Sequence, residues 1–171
     1  MSNAAVKFAD GDPTDAPLVE HAAMTLASHA GIRVAETLPV RLTYGHAVAV
    51  KRFDRANGRR RHCLTAHVAL RAADEPYGYP ELAQLLRRRG VAAGDAFTAD
   101  MHELFRRMVF NIPMDNTDDH EKNHAVIVTE AQQYALAPAY DILPSGALRG
   151  ADRPRVPQGS ADGHLSCCAT A

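Results

Sequence analysis

Apolar residues recur with two different periods, and the change from one to the other outlines the chain. Ala5-Val6-Lys7-Phe8 alternates as a short strand does, with Lys7 between apolar neighbours. Asp10 to Pro13 reads as a turn. From about Thr14 or Ala16 to about Ala30, Leu18, Ala22, Ala23, Leu26 and Ala30 recur at three- and four-residue spacing. That spacing predicts a helix with those residues facing the core, stopped by Gly31. Val40 to Thr43 and Ala47 to Phe53 return to strand character, and Tyr44-Gly45-His46 predicts a hairpin turn between them. Ala56-Asn57-Gly58 is a further turn, and Arg59-Arg60-Arg61 with His62 reads as a solvated basic loop.

Helical periodicity dominates the next part. Thr65 is placed to cap a helix over Ala66 to Arg71. A loop with Pro76, Gly78 and Pro80 leads to a helix over Glu81 to Arg89, ended by Gly90. Thr98 predicts the start of another, from about Ala99 to Phe110, with Met101, Leu104, Phe105, Met108 and Val109 as its buried stripe. Pro113 ends it. After a polar stretch, Ala125 to Val128 and Tyr134 to Leu136 flank Thr129 to Gln133 as strand, turn, strand. A small sheet with one helix therefore precedes a mainly helical part, an α+β order in two lobes rather than a doubly wound sheet. The divisions expected are an expression-tag scar at 1–4, a small lobe with a hinge at 5–55, a helical lobe at 56–145 and an irregular tail at 146–171.

Composition narrows the classes. At 171 residues the chain suffices for one domain or two small lobes around a cleft. A net charge of -1 gives no electrostatic reason to expect direct nucleic-acid binding. The 3 cysteines, Cys63 and the adjacent Cys167 and Cys168, do not form a disulfide framework, so a reducing, cytoplasmic setting is expected. No apolar run reaches the length of a membrane span.

The reactive side chains concentrate in Asn116-Thr117-Asp118-Asp119-His120-Glu121-Lys122-Asn123-His124. Asp118 and Asn123 have the spacing of a phosphoryl-transfer loop, in which one carboxylate orients the incoming hydroxyl and an amide oxygen further along holds Mg2+. Mg2+ takes hard oxygen ligands, and Asp141, after the predicted hairpin, supplies a second. Lys7 on its strand and Glu20 on the following helix could pair, or could be a solvated edge lysine and a solvated helix face. A different chemistry is also spelled out. His120-Glu121-Lys122-Asn123-His124 matches the zinc-peptidase pattern, with His120 and His124 as ligands and Glu121 as base, but that pattern works only on a helix. The turn-forming residues before it and the β-branched ones after it argue for a loop. A kinase-like binding module without catalysis is the third reading.

Four segments carry a family resemblance: Val50-Lys51-Arg52-Phe53-Asp54-Arg55, Arg106-Arg107-Met108-Val109-Phe110-Asn111, the loop 116–124, and Leu136-Ala137-Pro138-Ala139-Tyr140-Asp141. Together they resemble HipA-type toxin kinases from about Val6 to Ser145. The resemblance implies a diverged protein-kinase-like fold and an ATP- and Mg2+-dependent serine/threonine protein kinase. It implies Asp118 as the catalytic residue, Asn123 and Asp141 as metal ligands, and Lys7 on the ATP phosphates. It implies a hinge at Lys51, Arg52 and Phe53 that reads adenine, and a nucleotide pocket lined by His120, Glu121, Lys122, Asn123 and Tyr140. It further implies a protein substrate, a HipB-type antitoxin as partner, and DNA only through that antitoxin. Two departures set expectations. No glycine-rich phosphate loop with a regulatory serine precedes the Lys7 strand, so weak ATP binding and poor or absent catalysis are expected. The segment after Ser145 lacks the family's helical pattern, so a frameshifted or degenerated tail is expected.

Overall fold

Three strands and one helix build the first layer. The computed structural model describes residues 3–9, 14–56 and 58–145. The turn expected at Asp10 to Pro13, the residue Asn57 and the tail 146–171 with Cys167 and Cys168 lie outside the described residues. Strands β1 (Ala4–Phe8), β2 (Thr37–Arg41) and β3 (His46–Lys51) form an antiparallel sheet in the order β1-β3-β2. β1 begins at Ala4, and the Arg52 amide donates to the Asn3 carbonyl at 2.8 Å, so the segment first set aside as a tag contributes to the sheet from Asn3 on. Gly45, at φ 69°, makes the β2–β3 turn, a backbone region that glycine enters without steric cost. β3 ends at Lys51 rather than running to Phe53.

Cross-strand partners share a face of the sheet. Lys7 lies opposite Val48 and Ala5 opposite Val50, and that face packs on helix α1 (Ala16–His29). Val6, Phe8, Leu38 and Val40 lie on the other face and are exposed. α1 has the predicted extent but not the predicted face. It buries Pro17, Glu20, Ala23, Met24 and Ala27, while Leu18 and Leu26 are exposed. Alanines let the helix sit close on Val48 and Val50, and burying that face carries Glu20 inward towards Lys7.

After β3, Asp54 is fully buried and holds the chain's exit. Its carboxylate takes the guanidinium groups of Arg52 and Arg55 at 2.7 and 2.8 Å. The predicted basic loop closes instead as a two-residue ladder, β4 (Arg55–Ala56) against β5 (Arg59–Arg60). A second antiparallel sheet has the order β6-β7-β8, from β6 (Cys63–Thr65), β7 (Ala125–Val128) and β8 (Tyr134–Leu136). The β7–β8 hairpin is as predicted. β6 was not anticipated, being three residues long and directly after an arginine run.

Helices α2 (Ala66–Ala72), α3 (Tyr79–Arg89) and α4 (Ala96–Asn111) complete the four α-helices among the described residues. The Thr65 hydroxyl caps α2, accepting from the Val68 amide at 3.3 Å. Gly90 ends α3 because nothing larger fits: a Cβ there would meet the Leu86 carbonyl at 2.2 Å.

α4 departs most from expectation. It starts at Ala96, so Thr98 lies inside its first turn instead of capping it. Phe105 and Val109 are exposed, and the buried face is Asp100, Glu103, Leu104, Arg107 and Asn111. These polar groups satisfy backbone that no strand pairs. Asp100 accepts from the Leu136 amide at 2.8 Å, and Glu103 from the Arg33 amide at 2.9 Å. Arg107, 2% exposed, donates to the Ala137 carbonyl at 2.8 Å and pairs with Glu103 at 3.1 Å. Arg106 gives Glu103 a second cation at 2.9 Å. The core on either side is apolar. One cluster joins α1, β3, β6, β7 and the segment Ala137 to Ile142, and the other joins α2, α3, Leu104, Val126 and Leu136.

Removing one partner of a buried ion pair strands the other. Arg107→Leu is therefore expected to lower stability by about 3 kcal/mol, because Glu103 and the Ala137 carbonyl lose their donor. Urea denaturation followed by circular dichroism measures it; a loss below about 1 kcal/mol would show that Arg106 and the Arg33 amide satisfy Glu103 alone.

Candidate active site

One ammonium ties the two ends of the described chain together. Lys7 Nζ lies 2.8 Å from Glu20 Oε1 and 2.6 Å from Asp141 Oδ1. β1 supplies the lysine, the buried face of α1 the glutamate, and the segment after β8 the aspartate. Burial alone would lower the Lys7 pKa, but Asp141 and Glu20 outweigh it and hold the value above the ordinary range. Glu20 is pushed up by burial, opposed by Lys7, with Asp141 adding to the rise. The two shifts point opposite ways about the worth of the pair because two carboxylates share one cation. The lysine's direction governs, since it reflects both contacts, and the group stays a charged ammonium.

Asp141 is delivered there by backbone. Val34 forms a parallel bridge with Ala139; the Ala35 amide donates to the Ala139 carbonyl at 2.8 Å and the Ala139 amide to the Arg33 carbonyl at 2.7 Å. Arg107 holds the carbonyl of Ala137 two residues before. Asp141 itself has φ 59°, in the left-handed region.

The polar loop 116–124 follows α4. Asn116 Nδ2 donates to Asn111 Oδ1 at 3.3 Å, which fixes the loop's start on the end of that helix. Glu121–Asn123 make one turn of 3-10 helix, flanked by His120 and His124 in extended conformation. That overturns the zinc-peptidase reading. His120 and His124 do not share a helical face, and among the described residues no group of three or more His, Cys, Asp or Glu is arranged to hold a metal. Asn123 is buried, and its Nδ2 donates to the Asp118 carbonyl at 2.9 Å. The amide oxygen is thereby left as a hard ligand atom, and Asp141, whose Oδ1 meets Lys7, is a carboxylate, so the two residue types fit the donor set that Mg2+ takes. The Asp118 side chain is 81% exposed, with His120 Nε2 3.9 Å from its Oδ1.

Tyr140 links the loop to the segment carrying Asp141. Its hydroxyl donates to the Lys122 carbonyl at 2.7 Å, and its ring meets that of Phe53 with centroids 5.5 Å apart. Phe53, Lys122 and Tyr140 are thus brought together, with Asn123 and Asp141 next to them in sequence. Lys51 and Arg52 turn elsewhere: Lys51 pairs with Glu36 at 2.8 Å on the surface and Arg52 with Asp54. The Glu121 carboxylate also faces away from Lys7, taking a hydrogen bond from His67 of α2 at 3.1 Å.

The sequence reading missed a second cluster, on the α2–α3 side of the loop. Tyr79 donates its hydroxyl to Asp119 at 2.5 Å, and His124 Nε2 lies 3.1 Å from the other oxygen, off the ideal hydrogen-bond line. The Tyr79 ring meets His124 edge-on at 5.1 Å. Burial would raise the Asp119 pKa, but His124, Tyr79 and Asn111 outweigh it and hold the carboxyl below its ordinary value. Burial and then Asp119 push the Tyr79 phenol up, so it remains a donor. Only the adjacency of Asp119 to Asp118 could have flagged it; Tyr79 and His67 come from helices whose faces the sequence left open.

The family model of the HipA-like C-terminal domain matches residues 1–165. The chain belongs to that family. A Sinorhizobium fredii relative named "Putative kinase Y4dM" is 32% identical over 151 residues, covering 81% of this HipA-like chain and 36% of that protein. A chain from the Shewanella oneidensis MR-1 toxin–antitoxin complex of HipA, HipB and operator DNA superposes with TM-score 0.69 at 24% identity, over 85% of this chain and 38% of that one. The Helicobacter pylori proinflammatory kinase CtkA superposes with TM-score 0.57 at 18% identity, over 80% of this chain and 48% of that one. At these identities the two structures show the shared fold: a mixed α+β architecture of the kind found in HipA and CtkA. The HipA-like chain spans about a third of the length of its curated relative. Among its described residues no helix is long and apolar enough to cross a membrane.

A depressed carboxyl pKa stabilises the fold above the group's unfolded value, near 3.9, and the stabilisation is lost as pH falls through the folded value. Asp119 should therefore contribute to acid unfolding below about pH 4. Urea denaturation as a function of pH checks this: the wild-type stability should fall more steeply over that range than that of Asp119→Asn.

Proposed function

We propose that this HipA-like domain carries catalytic residues of an ATP- and Mg2+-dependent serine/threonine protein kinase. The observation that carries the reading is the contact of Lys7 with both Glu20 and Asp141. An ammonium held between a helix carboxylate and a second carboxylate that could take a metal supports a nucleotide-phosphate site, and the three residues lie on separate elements with no shared local reason to meet.

In this reading Asp118 receives the substrate hydroxyl. Its exposed carboxylate orients the serine or threonine and accepts its proton as the oxygen bonds to the γ-phosphorus, while the bond from that phosphorus to the bridging oxygen breaks and ADP leaves. Asn123 and Asp141 would hold Mg2+, which when bound neutralises charge on the transferring phosphoryl group. Lys7 contacts the ATP phosphates, with Glu20 fixing its direction. The backbone of Lys51, Arg52 and Phe53 forms the hinge beside adenine, and Phe53 and Tyr140 offer ring surface there. His120, Glu121, Lys122 and Asn123 line the nucleotide through their backbone, since the Glu121 side chain turns to α2. By family resemblance we assign a HipB-type antitoxin as partner, with DNA reached through it; the complex of the Shewanella relative supports this.

Calorimetric titration with a non-hydrolysable ATP analogue tests the core of the reading. Binding should need Mg2+ and should lose that dependence in Asp141→Ala. Asp118→Asn should leave binding intact and lower phosphoryl transfer by about 10²- to 10⁴-fold. Binding of an antitoxin without any Mg2+-dependent nucleotide binding would make the domain a kinase-like binding module instead.

A further inference from the structure

The cluster on the α2–α3 side of the loop encloses a pocket of about 240 Å3, lined by Tyr77, Tyr79, Leu82, Asp119, Glu121 and His124 among others. Neither Lys7, Phe53, Tyr140 nor Asp141 lines it; of the residues placed on the nucleotide only His120 and Glu121 do. It begins one residue after Asp118. Its volume is below the roughly 300–1,000 Å3 of pockets for whole small molecules, which suits a single long side chain.

The polar groups of the lining ask for a donor. Asp119 already receives the Tyr79 hydroxyl, and His124 faces its other oxygen. His124 Nε2 faces Asp119 at 3.1 Å, which leaves Nδ1 on the other side of the ring. That Nδ1 is buried without a hydrogen-bond partner on a side chain 6% exposed. Glu121 is fixed at the rim by His67, whose ring stacks on Tyr77 at 4.5 Å and 18°. Two carboxylates, Asp119 and Glu121, line the pocket. They would repel a phosphate, and an apolar side chain would leave Glu121 unmatched. A cation that donates hydrogen bonds from a plane answers all of these groups. A guanidinium does so better than an ammonium, because it lies flat on a ring while it forks onto a carboxylate.

We propose that this pocket receives an arginine side chain of the protein substrate, a few residues from the serine or threonine that Asp118 orients. The substrate role rests on the kinase reading above; the cation site does not. Tyr77 and Glu121 then set which sequences around the acceptor are used, independently of the nucleotide.

The test uses N-acetyl-arginine methylamide and its neutral isostere N-acetyl-citrulline methylamide, titrated into the whole chain at a pH above the ordinary imidazole value of about 6.5 and followed by amide NMR. The arginine compound should shift Gly78, Tyr79, Leu82 and His124 saturably, and the citrulline compound should not. Glu121→Gln and Tyr77→Leu should each weaken the arginine compound by about tenfold while leaving the rest of the spectrum in place. Equal binding of both compounds, or shifts elsewhere, overturns the assignment. Single-serine peptides with arginine or citrulline walked through the flanking positions then read the substrate role, where one arginine position should raise kcat/KM and Glu121→Gln should erase that gain. Mg2+-dependent binding of the ATP analogue, measured on the same samples, separates the failures. Nucleotide binding without an arginine response sinks the pocket, and an arginine response without nucleotide binding keeps the cation site and sinks its role beside a kinase centre.

Discussion

Glu103 and Arg107 lie 3.1 Å apart inside the protein, and the geometry of the candidate site leans on them. A buried ion pair gains little by itself, because desolvating both charges nearly cancels their attraction. Its value here is in what else the two groups hold. Glu103 accepts the Arg33 amide, and Arg107 reaches the carbonyls of Arg33 and Ala137 at 3.4 and 2.8 Å. Those carbonyls flank the short parallel bridge between Val34 and Ala139. One helix face thus sets the two irregular segments that lead towards Tyr140 and Asp141. Irregular backbone in a core is tolerable only when such partners exist.

The Lys7 cluster closes the same assembly from the other side. β1 is anchored by its pairing with β3, and α1 is anchored by alanines and Met24 on that sheet. Glu20 and Lys7 therefore meet because of packing, and Asp141 joins them because of the α4 network. No segment near any one of the three fixes the others. The loop 116–124 is held from two sides in consequence. The Lys122 carbonyl takes the Tyr140 hydroxyl, while Glu121 bonds His67 of α2 and, with Asp119 and His124, lines the pocket beside Tyr79.

What the sequence made legible was local. The β7–β8 hairpin was plain from apolar β-branched residues around a polar turn, and the β2–β3 turn from Gly45. The extents of α1 and α3 followed from period and from Gly31 and Gly90. The faces of α1 and α4 did not follow, because apolar periodicity cannot register a helix that buries Glu20, Asp100, Glu103 and Arg107. Those residues look like a solvated face until their backbone partners, tens of positions away, are known. The pairing of Lys7 with Glu20 was suggested by their places on neighbouring elements, the contact of Lys7 with Asp141 was not, and the HipA resemblance supplied the roles. Tyr79 and His67 were out of reach, and so was their meeting with His124, since the cluster is made by α2 and α3 packing on a loop whose shape no period encodes.

The left-handed backbone at Asp141 narrows what evolution can place there. Most L-residues incur about 1–2 kcal/mol in that conformation, whereas glycine, asparagine and aspartate enter it readily. Of those three only aspartate carries a charge. A glutamate would keep the charge at a steric penalty and would carry it one methylene further from the main chain, where Lys7 already sits in contact, so the shape of the main chain, as well as the chemistry, selects the shorter acid.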